Sequence, residues 1–141
     1  MIDDKDLVII NMLKENARTP YSEIARKLGI SEVAVMKRVK KLENSGVIRK
    51  YTVIVDYKKL GYNMVSITGL EVKPEYLFSA VEELKRKEYV VFLALTSGDH
   101  SIIAKIIARD HQELSQLHRE IENIPGVYNV RPAIILNVEK E

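Results

Sequence analysis

The sequence predicts an α+β protein made of two halves, and three observations lead to that prediction. Before residue 45, apolar residues recur at helical spacing in three separate segments. After residue 60, β-branched apolar runs and two further helical patterns follow each other in the order βαββαβ. Residues 1–59 hold 13 Lys and Arg against 8 Asp and Glu, whereas residues 60–141 hold 9 against 12. We therefore place two domains at residues 1–60 and 61–141.

Composition excludes several classes of protein. Of the 141 residues, 46% are apolar and 30% are charged, as in an ordinary globular chain. There is no cysteine, which excludes disulfides, thiolate nucleophiles and cysteine-ligated zinc. No apolar run approaches the roughly 18–20 residues of a membrane helix, and the start Met1-Ile2-Asp3-Asp4 is unlike a secretory signal. We expect a cytoplasmic protein without a membrane partner, a cofactor or a metal.

The first two helices are indicated by apolar spacing and by residues that start or stop helices. Apolar residues recur at helical spacing between Asp3 and about Glu15, at Leu7, Ile10 and Leu13. The second helix is predicted to begin with Thr19 as N-cap and Pro20 at its first position. It carries Ile24, Ala25 and Leu28 and stops at Gly29.

The third helix is predicted to begin after Ser31, a preferred N-cap residue, and to end before Gly46. Its apolar residues fall at i, i+4 and i+7: Val35, Val39 and Leu42. Two successive helices joined by a short turn containing glycine, the second of them basic, are typical of a helix-turn-helix.

Basic residues are concentrated across these two helices. Between residues 26 and 41 there is one acid, Glu32, and there are six bases: Arg26, Lys27, Lys37, Arg38, Lys40 and Lys41. Such a concentration suits a polyanion such as DNA, while a solvated basic helix face is the alternative interpretation.

A β-branched run at Tyr51–Val55 predicts an extended segment that forms a wing or a linker strand. The polar, turn-prone stretch from Asp56 to Asn63 comes next, which puts the domain boundary near Leu60.

The second half is predicted to form a ferredoxin-like βαββαβ sandwich with both helices on one face. The predicted strands are Met64–Val72, Val90–Thr96, Ser101–Ala108 and Val127–Val138, and the helices are Pro74–Lys87 and Asp110–Asn123. The third strand is apolar at successive positions, which predicts burial on both faces. Because the helices cover only one face, we expect the other to be a dimer interface.

A resemblance to a known family extends over essentially the whole chain. Its N-terminal residues are Asp6, Ile9, Ile10, Leu13, Asn16-Ala17-Arg18, Ile24-Ala25, Leu28-Gly29-Ile30-Ser31, Val35, Arg38, Val39, Leu42, Glu43 and Gly46-Val47-Ile48. Those beyond them are Tyr51, Gly61, Ser97-Gly98-Asp99 and Ile124-Pro125-Gly126-Val127. With these residues the chain resembles the Lrp/AsnC, or feast/famine, regulators of bacteria and archaea.

That resemblance implies a sequence-specific transcriptional regulator with an N-terminal winged helix-turn-helix and a C-terminal ferredoxin-like regulatory domain. It implies three kinds of partner: double-stranded DNA, further copies of the chain, and an amino acid or a related small effector. The copies would form homodimers that often assemble into octamers.

Candidate DNA contacts are indicated by the faces of the third helix. The apolar residues face the core, so five others are left to meet a major groove: Glu32, Val33, Met36, Lys37 and Lys40. Phosphate contacts are predicted at helix N-termini and at bases beside the groove: Tyr21, Ser22, Ser31 and Lys41. Arg18 and Arg38 are candidates as well. Arg38 has an alternative role in an internal salt bridge, and Arg18 an alternative structural role.

The predicted turn between the second and third strands is the candidate effector site, formed by Gly98, Asp99, His100 and Ser101. Its backbone N–H groups suit a carboxylate, and Asp99 suits an ammonium group. Many members of the family carry an aspartate where this chain has Ser101, a departure that argues against an α-amino acid bound in the usual way. The alternative is a turn selected only for its backbone geometry.

Two further classes remain as alternatives. Sirohaem decarboxylases resemble this family, and His100 would be the most plausible acid of such an enzyme here. However, the sequence has no nucleophile elbow, P-loop or cluster of metal ligands. The third class is a metabolite-binding assembly module that has lost DNA affinity. His111 and His118, seven residues apart on one predicted helix, are expected to be surface residues rather than metal ligands.

Overall fold

A computed structural model describes residues 1–141, which form two compact units, Met1–Ile54 and Val55–Glu141. The division therefore falls after residue 54 rather than after residue 60. A short 3-10 turn, Tyr57–Leu60, packs on the second unit, where Lys105 Nζ lies 5.5 Å from the centre of the Tyr57 ring. Lys58 Nζ also donates to the Leu136 carbonyl at 3.5 Å. These contacts explain why the turn belongs to the second unit.

The first unit contains three helices, α1 (Asp4–Glu15), α2 (Tyr21–Leu28) and α3 (Glu32–Asn44), as the apolar spacing predicts. Burying their apolar faces together is the main source of stability for helices of this length. The shared core consists of Ile9, Leu13, Ile24, Ala25, Val35, Val39 and Leu42.

Side-chain caps fix the start of two of these helices. Asp3 and Asp6 form a reciprocal capping box at the start of α1. Ser31 caps α3, since its hydroxyl accepts from the Ala34 N–H at 3.1 Å. The predicted cap of α2 is wrong by one residue, because Pro20 is the N-cap and has no side-chain bond. The Thr19 hydroxyl donates instead to the Asn16 carbonyl at 2.6 Å.

The predicted strand at Tyr51–Val55 does not form within a single chain. Its side chains are exposed to solvent, Val53 by 78% and Ile54 by 67%. A strand needs a hydrogen-bonded neighbour, and this segment has none in its own chain. The prediction of a linker strand is therefore wrong for one copy of the protein.

The second unit has the βαββαβ order that the sequence predicts. Its elements are β1 (Met64–Val72), α4 (Leu77–Lys85), β2 (Val90–Leu95), β3 (Ile102–Ala108), α5 (His111–Glu122) and β4 (Val127–Ile134), with a 3-10 turn, Pro74–Tyr76, before α4. The strands lie side by side as β2-β3-β1-β4, each antiparallel to its neighbour. β4 ends at Ile134 rather than Val138, and its last residue pairs with Ser66 near the start of β1.

Helices α4 and α5 cover one face of the sheet, where the larger core lies. Leu70, Ile102 and Ile106 of the sheet are fully buried there against Leu84 and Ile121 of the helices. We call the opposite side, formed by the residues that alternate with these, the open face. None of the five helices is long and apolar enough to cross a membrane.

A chain of polar side chains is buried between the sheet and α5. The hydroxyls of Ser66 and Thr68 lie 2.8 Å apart, and Thr68 Oγ1 lies 2.9 Å from His118 Nε2. His118 is only 8% exposed, so its predicted surface position is wrong. Desolvation at this interface lowers the pKa of the imidazole below that of a free histidine.

Stability should consequently fall as the protein is acidified. Below about pH 6.5, the pKa of a free histidine, the unfolded chain binds a proton at His118 that the folded chain resists, so the free energy of unfolding decreases as the pH falls below that value. We expect His118→Gln to flatten the dependence of the unfolding temperature on pH over this range. His111→Gln is the matched control, because His111 is exposed on the same helix. Equal flattening by both substitutions would contradict the assignment.

Candidate functional site

The turn between α2 and α3 sets the position of the candidate DNA-binding helix. Gly29 has a φ of 66°, in the left-handed region that favours glycine, and it ends α2. The Ile30 N–H then bonds back to the Ala25 carbonyl at 3.1 Å, and Ser31 starts α3 two residues after the glycine. This arrangement confirms the helix-turn-helix that the spacing predicts.

Helix α3 has a buried face and an exposed face. Val35, Val39 and Leu42 are at most 1% exposed and attach the helix to α1 and α2. On the exposed side Val33 and Met36 are 55% and 48% exposed, although both are apolar. The five predicted groove contacts are all exposed: Glu32, Val33, Met36, Lys37 and Lys40. An exposed apolar pair beside free cations is suited to contacts with bases in a major groove.

The basic residues of α2 and α3 are mostly free to meet phosphates. Of the six between residues 26 and 41, only Arg38 forms an ion pair within the chain. The five that form none are all exposed: Arg26, Lys27, Lys37, Lys40 and Lys41. Cations without an internal carboxylate partner are the ones that can neutralise DNA phosphates and release counterions.

Arg38 differs from the other predicted DNA contacts because it is engaged within the protein. Its Nη1 donates to both carboxylate oxygens of Asp3, at 2.9 and 2.8 Å, and to Asp6 Oδ1 at 3.0 Å. This is the internal salt bridge that the sequence leaves as an alternative. It directs the guanidinium towards the start of α1.

The other predicted phosphate contacts lie around the same helices. Ser22, Ser31 and Lys41 are exposed, whereas Tyr21 is half-buried and packs against the helical core. Arg18 is exposed, and its backbone N–H donates to Asn16 Oδ1 at 2.9 Å. Asn44, missing from the sequence prediction, is exposed four residues after Lys40, so helical periodicity puts it on the same side of α3.

The candidate effector residues lie between β2 and β3. Gly98 and Asp99 are exposed, while His100 and Ser101 are half-buried. Ser101 is committed to the sheet, because its N–H donates to the Leu70 carbonyl at 2.8 Å and its hydroxyl accepts from the Val72 N–H at 3.3 Å. The backbone N–H and the hydroxyl of Ser101 are thus already used by the fold, and the His100 carbonyl accepts from the Thr96 hydroxyl at 2.7 Å.

His100 is held against β1 by a contact that the sequence does not reveal. A Cβ atom at Gly69 would lie 2.6 Å from atoms of the His100 ring, so only glycine leaves room for the ring there. His100 Nδ1 is buried and has no hydrogen-bond partner. The pairing of Gly69 with Ile103 and Arg131 puts this contact on the open face.

Comparison with known proteins identifies the family. Residues 2–49 match the family model described as winged helix-turn-helix DNA-binding, and residues 64–141 match the Lrp/AsnC ligand binding domain. The chain is 53% identical over 137 residues to the HTH-type transcriptional regulator LrpA of Pyrococcus horikoshii, covering 96% of this chain and 97% of that relative. The chain belongs to the Lrp/AsnC family.

Further comparisons show that this Lrp/AsnC protein is similar to regulators of comparable length. It is 34% identical to the HTH-type transcriptional regulator FL11 of Pyrococcus abyssi, covering 99% of this chain and 93% of that one. The structure of AsnC from Escherichia coli is similar, with a TM-score of 0.87 and 29% identity over 100% of this chain and 96% of that one.

Each of the two Lrp/AsnC matches coincides with one unit of the structure. The DNA-binding match contains α1 to α3, and the ligand-binding match contains the whole four-stranded sheet with α4 and α5. This Lrp/AsnC protein is therefore a transcriptional regulator with a DNA-binding domain and a ligand-binding domain. Its relatives bear the names of regulators, which favours this function over the enzymatic alternative.

Proposed function

We propose that the protein binds a pseudo-palindromic operator as a homodimer, and that a small amino-acid-like effector modulates this binding. The observation that carries the proposal is the exposed side of α3. It presents two apolar side chains, Val33 and Met36, beside the unpaired cations Lys37 and Lys40. A rigid helix anchored by a buried face and exposing such a surface is suited to direct readout in the major groove.

Each exposed residue has a chemical preference among bases. Lys37 is suited to the O6 and N7 acceptors of guanine, and Val33 and Met36 to the methyl group of thymine. Glu32 is suited to accepting from the amino group of cytosine. We propose that phosphate contacts come from the predicted residues outside this groove-facing set whose side chains form no ion pair within the chain: Arg18, Tyr21, Ser22, Ser31 and Lys41.

Selection of bound sequences from a random duplex pool tests this part of the proposal. Two half-sites related by a dyad, with centres about 34–36 Å apart, are expected for a symmetric dimer that presents two copies of α3. Recovery of asymmetric single sites bound by a monomer would contradict the proposal.

The open face of the sheet is the surface we propose for dimerisation. Alternation along the strands puts Ile67, Ile103, Phe92 and Ala94 there, and Phe92 is 55% exposed. A group of exposed apolar side chains on one face of a sheet marks an interaction surface, and the helices already occupy the other side. A second copy of the same sheet supplies a matching apolar surface with two-fold symmetry. Assembly of dimers into octamers remains part of the proposal.

For the effector, the exposed Asp99 carboxylate is the group we propose for an ammonium ion, with Gly98 and His100 beside it. The match of this unit to a ligand-binding domain supports a small-molecule ligand. A thermal-shift screen against the twenty amino acids tests the idea, because a ligand that binds the folded form raises the unfolding temperature. We expect Asp99→Asn to abolish the shift. A shift that survives this substitution would place the ligand elsewhere.

A further inference from the structure

The start of α1 and the middle of α3 are joined by one guanidinium nitrogen. Arg38 Nη1 forms hydrogen bonds of 2.9 and 2.8 Å with Asp3 and of 3.0 Å with Asp6. The same two carboxylates form the capping box of α1, through bonds of 2.9 Å to the Asp6 N–H and 3.1 Å to the Asp3 N–H. We call these three residues the clamp.

The clamp is buried at Asp6 and exposed to solvent at Asp3. The Asp6 side chain is 6% exposed, that of Arg38 is 31% exposed and that of Asp3 is 53% exposed. Removing the cation would leave the Asp6 carboxylate buried without its charged partner, which is costly. The hydrogen bond from Arg38 lowers the pKa of Asp3 to about 2, so this carboxylate is charged at neutral pH.

The position of Arg38 on α3 makes the clamp relevant to recognition. Arg38 lies between Lys37, on the exposed side, and Val39, in the core. Hydrophobic contacts at Val35, Val39 and Leu42 are non-directional and tolerate small rotations of a helix. Directional, charged hydrogen bonds to fixed carboxylates define the rotation and axial position of α3 much more narrowly.

We infer that Arg38 is a positioning residue that holds the exposed side of α3 in register with the groove through Asp3 and Asp6, rather than a DNA contact. This departs from the sequence prediction that groups Arg38 with the DNA-binding residues. The inference rests on the proposed role of α3 as the recognition helix. A helix whose orientation is fixed in the free protein loses less conformational entropy when it binds DNA. Its base-contacting side chains are also already in the arrangement that binding requires.

The substitution Asp3→Ser distinguishes a positioning role of Arg38 from a direct DNA contact, because the two roles predict opposite changes in operator affinity. Serine is a preferred N-cap residue, so α1 keeps its cap, but its side chain is too short to bond Arg38. Loss of an acid from a DNA-binding unit normally strengthens binding, and a released Arg38 that contacted phosphate would strengthen it further. The clamp predicts the reverse, a roughly tenfold loss of operator affinity.

Asp4→Ser is the matched control, because Asp4 is the neighbouring exposed acid and forms no ion pair. It carries the same charge change and should not reduce affinity. Binding should be measured by fluorescence anisotropy on an operator and on an unrelated duplex, at a temperature where circular dichroism shows each variant fully folded. The ratio of the two affinities should fall for Asp3→Ser, a change that reduced stability alone would not produce.

Arg38→Gln provides the second measurement. The slope of the logarithm of affinity against the logarithm of salt concentration should stay that of the unmodified protein, since no phosphate contact is lost. The double variant with Asp3→Ser should bind no more weakly than Arg38→Gln alone, because Arg38→Gln already removes the bonds to both carboxylates and leaves Asp3→Ser no clamp contact to break. The inference would be overturned if Arg38→Gln reduced the magnitude of this salt-dependence slope by about one. It would also be overturned if Asp3→Ser bound the operator more tightly than the unmodified protein. If α3 is not the recognition helix at all, replacing Lys37 and Lys40 will leave DNA binding unchanged. That result is distinct from any outcome of the Arg38 experiments.

Discussion

Replacing both Lys37 and Lys40 with glutamine is expected to weaken operator binding by roughly a hundredfold near 0.1 M salt. Both side chains are exposed on α3 and neither has an ion-pair partner in the chain, so their charge is available to DNA. The salt dependence distinguishes their roles. Each phosphate contact that is lost should reduce the slope of the log–log plot by about 0.9, whereas a lost guanine contact should instead relax the preference at one position of each half-site. Titrations at several salt concentrations measure both quantities.

The control for this prediction is the pair Lys5→Gln and Lys14→Gln on α1. Both lysines are exposed and belong to the same unit, so the double variant carries the same change in net charge. It should lose little affinity if contact at α3, and not the overall charge, determines binding. Equal losses in the two double variants would mean that the basic face acts only through its general field.

The helices were the most predictable part of the fold because their signals are local. Apolar spacing defines the buried sides of α1, α2 and α3, and Ser31 caps α3 as its residue type indicates. The order of elements along the second unit, βαββαβ, follows from the alternation of strand and helix patterns. Thr19 shows the limit of these local signals. Its hydroxyl could cap α2 or donate to the Asn16 carbonyl, and the sequence does not say which of the two bonds forms.

The parts that the sequence did not predict depend on residues that are distant along the chain. Arg38 meets Asp3 across 35 positions, and His118 meets Thr68 across 50. The contact between Gly69 and the His100 ring likewise needs β1 and β3 to lie side by side. The sequence leaves Arg38 two roles, a DNA contact or an internal salt bridge whose partner it does not name, and it indicates a surface position for His118. Only tertiary packing brings these polar groups to internal partners, which changes the roles they can have.

Replacing Ile103 with glutamate should convert the proposed dimer into a monomer. Ile103 is half-buried in β3 and lies between Ala94 and Gly69 on the open face, so a second copy packed there would bury the new carboxylate without a partner. Sedimentation velocity or light scattering at several concentrations would measure the change. Because two linked recognition helices gain avidity over one, loss of the dimer should also weaken operator binding by at least about a hundredfold.

Phe78→Glu is the control that makes this result specific to the open face. Phe78 is 80% exposed on α4, which packs on the other side of the sheet, so a charge there leaves the open face intact. Circular dichroism must first show that both variants keep the fold. A dimer that persists with Ile103→Glu but not with Phe78→Glu would place the interface on the helical side. In that case the geometry of the two α3 helices, and with it the spacing of the half-sites, would have to be derived from a different symmetry axis, because the dyad of the dimer fixes both.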